Sequence, residues 1–305
     1  MLVTALTPIF AIILIGFCLS RLPLFSQSVW ADVKKLTYYL FFPALLVLRL
    51  SESRFDWDEI TDITLVIGLS LIVVTVLFVA LHNFIAGDLS TLSSVYQGTI
   101  RFNTYIGLAL IEALYGDRGI TVAALCIAVY IPLVNVLSVA SLSLQGESSA
   151  KRVFIITGAV VTNPLVIACL TGLAISFGGY NLPNLLRASI EILSQPALPL
   201  GLLAVGAGIR FIALGEQTWQ LVIAVANKQL LFPGLVLAAC ILFEVNGVLG
   251  SALLLLSCLP SPPSAYILAR QLGGNVSLMA NIITVQTLVA FIMIPVWIEL
   301  AERFL

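Results

Sequence analysis

Apolar runs long enough to cross a lipid bilayer recur along the whole chain. Hydrophobic residues make up 60% of the 305 residues and charged residues only 10%, whereas soluble domains carry roughly 25% charged residues. A run of about 20 apolar residues spans the hydrocarbon core, and a helix satisfies its own backbone hydrogen bonds there. The sequence therefore predicts an all-α polytopic membrane protein. Its net charge of −1 gives no indication of a nucleic-acid partner.

The hydropathy pattern predicts ten transmembrane helices joined by short loops. Their predicted ranges are 3–21, 31–50, 61–86, 92–115, 119–143, 152–177, 184–209, 217–244, 248–272 and 276–301. The longest polar stretch outside these helices is Ser51 to Glu59, which is too short to form a soluble domain. Whatever this protein does, it does within the membrane.

Helices 1 to 5 and helices 6 to 10 resemble two copies of one unit. A shift of 156 residues aligns three pairs of prolines or glycines: Pro8 with Pro164, Gly16 with Gly172 and Pro43 with Pro199. Because each copy has an odd number of helices, the second copy enters the membrane from the opposite side. We therefore predict two inverted five-helix repeats, residues 1–150 and 151–305, which is a common plan of secondary transporters.

Polar residues lie near the middle of predicted helix 4, at Arg101, Asn103, Thr104 and Tyr105. An arginine at the bilayer centre costs a few kcal/mol or more unless it faces partners or water. Arg101 is either a structural cation or, with Asn103 and Thr104, the lining of a substrate cavity. A planar guanidinium suits a carboxylate because it can donate two parallel hydrogen bonds. Tyr105 is a candidate for the same cavity or for aromatic packing.

Predicted helix 9 is interrupted at a similar depth by the run Leu259-Pro260-Ser261-Pro262-Pro263-Ser264. Three prolines in four positions remove backbone donors and clash with the preceding turn, so the helix is predicted to break. Helix 9 holds in the second repeat the place of helix 4 in the first. Interrupted helices at matching repeat positions indicate a transporter's binding site, so Ser261, Pro262 and Pro263 are candidate substrate contacts. The alternative is a pair of structural kinks.

Three more polar residues are predicted at or near membrane depth. Asn135 in helix 5 and Gln286 in helix 10 either contact substrate or bridge neighbouring helices, as buried amides often do. Lys228 in helix 8 is interpreted as reaching the interface with its amine. The alternative for Lys228 is a position inside the membrane.

The sequence lacks the motifs of several kinds of chemistry. It contains no phosphate-binding loop, no pairing of a nucleophile with a base, and a single histidine, His82, which cannot form a metal site alone. We therefore expect no enzymatic activity, no cofactor and no metal.

Three stretches carry a family resemblance. They are Asn103-Thr104-Tyr105 followed by Gly107, Pro196-Ala197-Leu198-Pro199-Leu200 followed by Gly206, and the proline-rich break of helix 9 followed by Ala269 and Gly273-Gly274. With these stretches the chain resembles, over essentially its whole length, the auxin efflux carrier family. That family includes the plant PIN-FORMED auxin exporters and bacterial organic-acid permeases.

The resemblance implies a scaffold of helices 1, 2, 6 and 7, a mobile transport domain of helices 3–5 and 8–10, and a homodimer formed through the scaffold. It implies that broken helices 4 and 9 cross, with Asn103 and either Pro262 or Pro263 bordering a small organic anion. The chain departs from the plant members in having Phe102 in place of a proline and only Gln145 to Arg152 in place of a long hydrophilic loop. The first departure implies that helix 4 is less sharply broken than in the plant members. The second favours a short bacterial member in the cytoplasmic (inner) membrane, with a substrate such as malate or malonate rather than auxin.

The leading functional hypothesis is a secondary carrier of small organic anions such as carboxylates, working by alternating access. A sodium-coupled organic-acid symporter of similar fold is one alternative, and sodium dependence would distinguish it. A membrane sensor that binds a ligand without moving it is another, although no signalling domain is visible in the sequence. An intramembrane enzyme is disfavoured, and movement of unmodified substrate across the membrane would exclude it.

Overall fold

The computed structural model describes residues 2–53, 55–86, 88–143, 157–158, 161–209 and 217–305. Within these ranges every regular element is helical. We number the helices in chain order: α1 Leu2–Leu19, α2 Gln27–Leu36, α3 Phe42–Ser51, α4 Trp57–Ala80, α5 His82–Ile85, α6 Leu89–Ile100, α7 Thr104–Leu142, α8 Pro164–Phe177, α9 Asn184–Ser194, α10 Ala197–Gly206, α11 Thr218–Ala226, α12 Phe232–Leu242, α13 Gly247–Cys258, α14 Pro263–Gln271 and α15 Val276–Phe304.

Five of the described helical stretches are long and apolar enough to cross a membrane. They are Trp57–Ala80, Asn184–Gly206, Thr218–Leu242, Val276–Phe304 and the 54 residues Leu89–Leu142. The last of these is interrupted at 101–103 and again at Gly116, where the backbone is not helical (φ 61°, ψ −147°). Helices α13 and α14 pass the same test as a pair and are bent by 53° at the short break between them. These helices make the chain a multi-pass membrane protein, while the number of ten crossings stays a prediction.

The structure corrects two predicted helices. Predicted helix 6, 152–177, is not continuous, because α8 begins at Pro164 and the side chain of Asn163 accepts the backbone N–H of Leu165 at 2.9 Å. This is an N-cap followed by proline at the first helical position, a combination that starts helices. The predicted start of that helix and the loop 145–152 lie outside the described residues. Predicted helix 7, 184–209, is interrupted at Gln195 and Pro196 between α9 and α10.

Two π-helical turns each occur directly before the same dipeptide, Phe-Pro. Thr37–Phe41 joins α2 to α3 and Asn227–Leu231 joins α11 to α12, and each is followed directly by Phe-Pro. A proline inside a helix lacks the N–H and clashes with the carbonyl four residues earlier. The helix instead takes one extra residue into this turn, so that the N–H of the phenylalanine before each proline donates to the carbonyl five residues earlier. Such turns recur at functional positions in helical proteins.

The described helices form two compact units. The first unit contains Met1–Thr61, Thr104–Val129 and Val161–Ile209. In this unit α1 packs against α10 and α3 packs against α8. Both contacts depend on glycine, because a Cβ added at Gly16 would lie 2.7 Å from the Cα of Leu203, and one at Gly172 would lie 2.7 Å from the Cβ of Leu50.

The second unit contains Asp62–Asn103, Tyr130–Val160 and Arg210–Leu305. Helix α15 packs against α6, α11 and α13 in this unit, and α6 also packs against α11. Most of α6 is buried, and α13 is buried from Gly250 to Cys258. The ends of α6 and α13 are therefore enclosed within this unit, and the chain breaks directly after each of them.

The substitution Gly206→Ala is expected to destabilise the first unit. A Cβ at this position would lie 2.8 Å from the backbone carbon of Ile13 and 2.8 Å from the backbone nitrogen of Phe17, so α1 and α10 would have to separate. Overpacking of this kind costs about 1–3 kcal/mol. We expect a lower melting temperature of the detergent-solubilised protein.

The matched control is Gly68→Ala in α4, where an added Cβ meets nothing within 4 Å. Alanine is favoured over glycine inside a helix by roughly 0.5–1 kcal/mol, so this variant should melt at or above the wild-type temperature. Equal melting of the two variants would contradict the close approach of α1 and α10.

Candidate functional site

Two helix breaks occupy the core of the second unit. Helix α6 ends at Ile100 and α7 begins at Thr104, while α13 ends at Cys258 and α14 begins at Pro263. The backbone leaves each helix in an extended conformation, with ψ angles of 150° at Arg101 and 148° at Leu259. The predicted break of helix 9 is confirmed. Helix 4 is also broken, although Phe102 stands where a proline would otherwise force the break.

The two breaks bind each other directly. The backbone N–H of Asn103 donates to the carbonyl of Pro260 at 2.8 Å, and the Ser261 hydroxyl donates to the carbonyl of Gly98 at 2.8 Å. Buried backbone groups outside a helix need partners, and each break supplies partners to the other. This mutual bonding explains how helix 4 stays broken without a proline of its own.

Gln286 in α15 joins both breaks from the side. Its Oε1 accepts the backbone N–H of Ser261 at 2.9 Å, and its Nε2 donates to the carbonyl of Gly98 at 2.9 Å and to that of Ala224 at 3.1 Å. The side chain is fully buried. These contacts support the bridging interpretation of Gln286 rather than the substrate-binding one.

An aromatic pair covers the first break. The rings of Phe102 and Tyr130 stack with centroids 4.5 Å apart, and the Tyr130 hydroxyl donates to the carbonyl of Ile100 at 3.3 Å. This bond satisfies one of the carbonyls that the end of α6 leaves without a helical partner. Phe102 therefore holds the break in place by stacking.

Arg101 is the half-buried charge at the crossing of the two breaks. Its Nη2 donates to the Ser264 hydroxyl in the first turn of α14 at 3.2 Å, which brings the guanidinium to the beginning of that helix. Pro262, Pro263 and Ser264 are also half-buried. Pro262 and Pro263 have no N–H, and the N–H of Ala265 donates to the carbonyl of Pro262 at 2.9 Å. The first turn of α14 therefore adds the Ser264 hydroxyl and the partial positive charge of a helix N-terminus to the guanidinium on this accessible side. The arrangement is suited to an anion.

The other predicted site residues have different surroundings. Asn103 is almost completely buried and meets the second break through its backbone. Thr104 and Tyr105 belong to the first unit, where Tyr105 stacks on Phe42 with ring centroids 4.4 Å apart. Asn135 is buried in the second unit, but the structure gives it no hydrogen bond to another described residue.

The interfacial interpretation of Lys228, which required a later start of its helix, is wrong. Helix α11 begins at Thr218, so Lys228 lies well inside the stretch Thr218–Leu242, in the π-turn, and its side chain is fully buried. The extra residue of the π-turn changes the face on which the following side chains lie. The proline at 233 was the available signal for this turn, but the burial depends on neighbours that are distant in sequence.

A second charged cluster lies in the first unit around a cavity of about 330 Å³. Its ion pairs join Arg49 to Asp117 at 2.8 Å, Arg187 to Glu191 at 3.1 Å, and Arg187 to Glu52. Both arginines are paired with carboxylates, and the Asp117 side chain is 87% exposed. Such exposed pairs contribute little to stability, and they leave the cavity without an uncompensated cation.

Comparison with known proteins gives one clear match. A family model described as membrane transport protein matches residues 1–298, a range that includes both helix breaks. No curated protein matches the chain significantly. Within the described residues, no group of histidine, cysteine, aspartate and glutamate side chains could hold a metal ion. The chain therefore belongs to the membrane transport protein family, which is the family of the auxin efflux carriers.

Proposed function

We propose that this membrane transporter is a secondary carrier of small organic anions, such as carboxylates, and that its substrate binds where the two broken helices cross. The observation that carries the proposal is the half-buried guanidinium of Arg101 beside the first turn of α14. Arg101 supplies a permanent charge and a planar pair of donors. The first turn of α14 adds the Ser264 hydroxyl and the partial positive charge of a helix N-terminus, which favours an anion.

The substrate is proposed to lie on the accessible side of the crossing, against Arg101, Pro262, Pro263 and Ser264. The buried side is filled by the bonds of Gln286 and Ser261. A small anion fits this division, because the half-buried side offers the Arg101 guanidinium, the Ser264 hydroxyl and the positive end of α14. Asn103 contributes by fixing the first break through its backbone.

Two internal correspondences support the inverted repeat. Helices α6 and α13 each have 12 residues, and both their first and their last residues are 158 positions apart (247 minus 89, and 258 minus 100). In the first unit an added Cβ at Gly16 would press on Leu203, and one at Gly172 would lie 3.2 Å from the carbonyl of Val47. The shift of 156 residues exchanges these two contacts, because it aligns Gly16 with Gly172 and Val47 with Leu203. A reciprocal contact of this kind is characteristic of a two-fold relationship.

The carrier is proposed to cross the cytoplasmic membrane ten times and to work by alternating access. Inverted repeats supply two related conformations, because each repeat can adopt the shape of the other. Helices 1, 2, 6 and 7 are proposed as the scaffold through which a homodimer forms, and helices 3–5 and 8–10 as the mobile part. The described breaks in helices 4 and 9 belong to that mobile part.

Counterflow tests the proposal most directly. Purified protein is placed in liposomes that are preloaded with unlabelled malate, malonate or indole acetate, and the same labelled anion is added outside. We expect saturable accumulation of at least one labelled anion, because exchange through a carrier needs no external energy. The accumulated label is recovered and identified to establish that it is chemically unchanged.

Two control experiments are needed to interpret the counterflow result. Repeating the exchange without sodium separates the proposed carrier from a sodium-coupled symporter, which would lose activity. Liposomes containing denatured protein measure leakage. Absence of accumulation over a wide panel of carboxylates, with the protein folded and binding one of them, would replace the carrier with a membrane sensor.

A further inference from the structure

Lys228 is a fully buried amine in the second unit that the proposed anion site does not use. Its Nζ makes no hydrogen bond to any described residue, and no carboxylate in the described part of the chain lies within ion-pair distance of it. The ring of Phe232 is 5.3 Å from the Nζ. Lysine is rarely enclosed without a partner because its ammonium group is strongly hydrated.

The helices packed against the π-turn of Lys228 are α6, α11, α12, α13 and α15. They carry few titratable groups: Tyr96 on α6, Cys240 on α12, Cys258 on α13, and Glu299, Glu302 and Arg303 near the end of α15. Of these, the Cys258 thiol at the end of α13 donates its S–H to the carbonyl of Leu255 at 3.2 Å. Tyr130, which packs near Phe232, uses its hydroxyl on the carbonyl of Ile100. The enclosure therefore offers an ammonium group no full counter-charge.

Whether the Lys228 amine carries a charge therefore depends on whether the protein encloses it or exposes it to water. The carbonyl end of α13 and the face of Phe232 both attract a cation, but neither replaces the hydration of an ammonium group. Removing such a group from water without a counter-charge is far more costly than removing a neutral amine. A conformation that admits water to the amine permits protonation, and a conformation that encloses it favours release of the proton.

We propose that Lys228 is a proton-binding site that couples anion transport to proton movement. The reaction is the reversible addition of a proton to the side-chain amine, –NH₂ + H⁺ → –NH₃⁺, and no other bond changes. A positive charge on Lys228 favours an anion bound in the same unit, and by reciprocity the bound anion favours the proton. This inference rests on the proposed carrier function and makes the carrier a proton–anion symporter.

Uptake driven by a pH gradient tests the inference. Proteoliposomes are given an outside-acid gradient, and initial uptake of an anion that the wild type exchanges in counterflow is compared with uptake without the gradient. We expect the gradient to stimulate wild-type uptake by up to about tenfold per pH unit, the limit for one coupled proton. Lys228→Met should keep counterflow and lose the stimulation. Lys228→Arg should lose it as well, because arginine cannot release its proton.

The matched control is Lys35→Met, which removes an exposed lysine paired with Asp32 at 3.6 Å and should behave as the wild type. Stimulation that survives in Lys228→Met or Lys228→Arg overturns the inference, and so does loss of counterflow in a folded Lys228→Met. A wild type that exchanges no anion in counterflow overturns the carrier proposal instead, and it removes the inference with it.

A thermal melt examines the enclosed amine without any transport assay. Methionine has a similar length and no group to desolvate, so Lys228→Met is expected to raise the melting temperature by a few degrees. Lys35→Met should leave it unchanged. A lower melting temperature for Lys228→Met would mean that the amine has a stabilising partner, which would overturn the inference.

Discussion

Replacing Gln286 with leucine is expected to lower the melting temperature of the protein by about 10 °C, the largest loss of stability among the variants considered. The substitution deletes three hydrogen bonds and leaves the buried N–H of Ser261 without an acceptor. A buried unsatisfied donor costs about 1–3 kcal/mol and each further lost bond about 0.5–1.5 kcal/mol. The sum is roughly 2–6 kcal/mol. The measurement is a melt of the detergent-solubilised protein, with yield after size-exclusion chromatography as a second readout.

Gln271→Leu is the matched control, since Gln271 is exposed at the end of α14 and should tolerate the change. The comparison also decides between the two roles that the sequence allows for Gln286. A variant that melts like the wild type but no longer transports would make Gln286 a substrate contact. A variant that is destabilised in proportion to the lost bonds would make it the bridge that its contacts indicate.

The positions of most helices and of the break in helix 9 could be predicted from the sequence because their causes are local, whereas helix 4 is held broken by bonds to the other break. Apolar length predicts a membrane helix wherever it occurs. The prolines at 260, 262 and 263 break helix 9 by their own chemistry. In helix 4, the charge of Arg101 at membrane depth indicated the position of the break even though no proline is present.

The roles of individual side chains were harder to predict because their causes are distant in sequence. Asn103 was a candidate because of its side-chain amide, yet it is its backbone N–H that donates to a carbonyl in the other break. Gln286 bonds a carbonyl that lies 188 residues away. No periodicity or spacing indicates such a partner, so an amide that binds substrate and an amide that bridges helices look identical in the sequence.

Lys228 shows a third limit of prediction from the sequence, which concerns the direction of a side chain. The helix that contains it was predicted at nearly its observed bounds, 217–244 against Thr218–Leu242. The error lay in the direction of the side chain, because the π-turn Asn227–Leu231 changes the face on which residues lie. Boundaries that are correct to within two residues therefore do not determine whether a lysine reaches water, and burial at this position follows from packing.

Replacing Arg101 with glutamine is expected to weaken anion transport strongly while leaving the fold intact. Hydrogen bonds to a charged group contribute about 1.5–3 kcal/mol, which corresponds to a rise in KM of about 10- to 100-fold for an anion held by this side chain. Two bonds between the breaks, from Asn103 to Pro260 and from Ser261 to Gly98, do not involve the guanidinium and remain in this variant, which loses the bond from Arg101 to Ser264. Initial rates of uptake over a range of anion concentrations, together with a melt, measure both effects.

Two further variants separate the charge of Arg101 from its shape. Arg101→Lys keeps a positive charge but loses the planar fork, so we expect its KM to lie between those of the wild type and Arg101→Gln. Arg270→Gln removes an arginine that is exposed in the last turn of α14 and should transport normally, which controls for a general effect of lost charge. Unchanged uptake by a well-folded Arg101→Gln would remove Arg101 from the site. The anion would then have to bind through the Ser264 hydroxyl and the positive end of α14 alone, and transport would lose its requirement for a cationic side chain at the crossing.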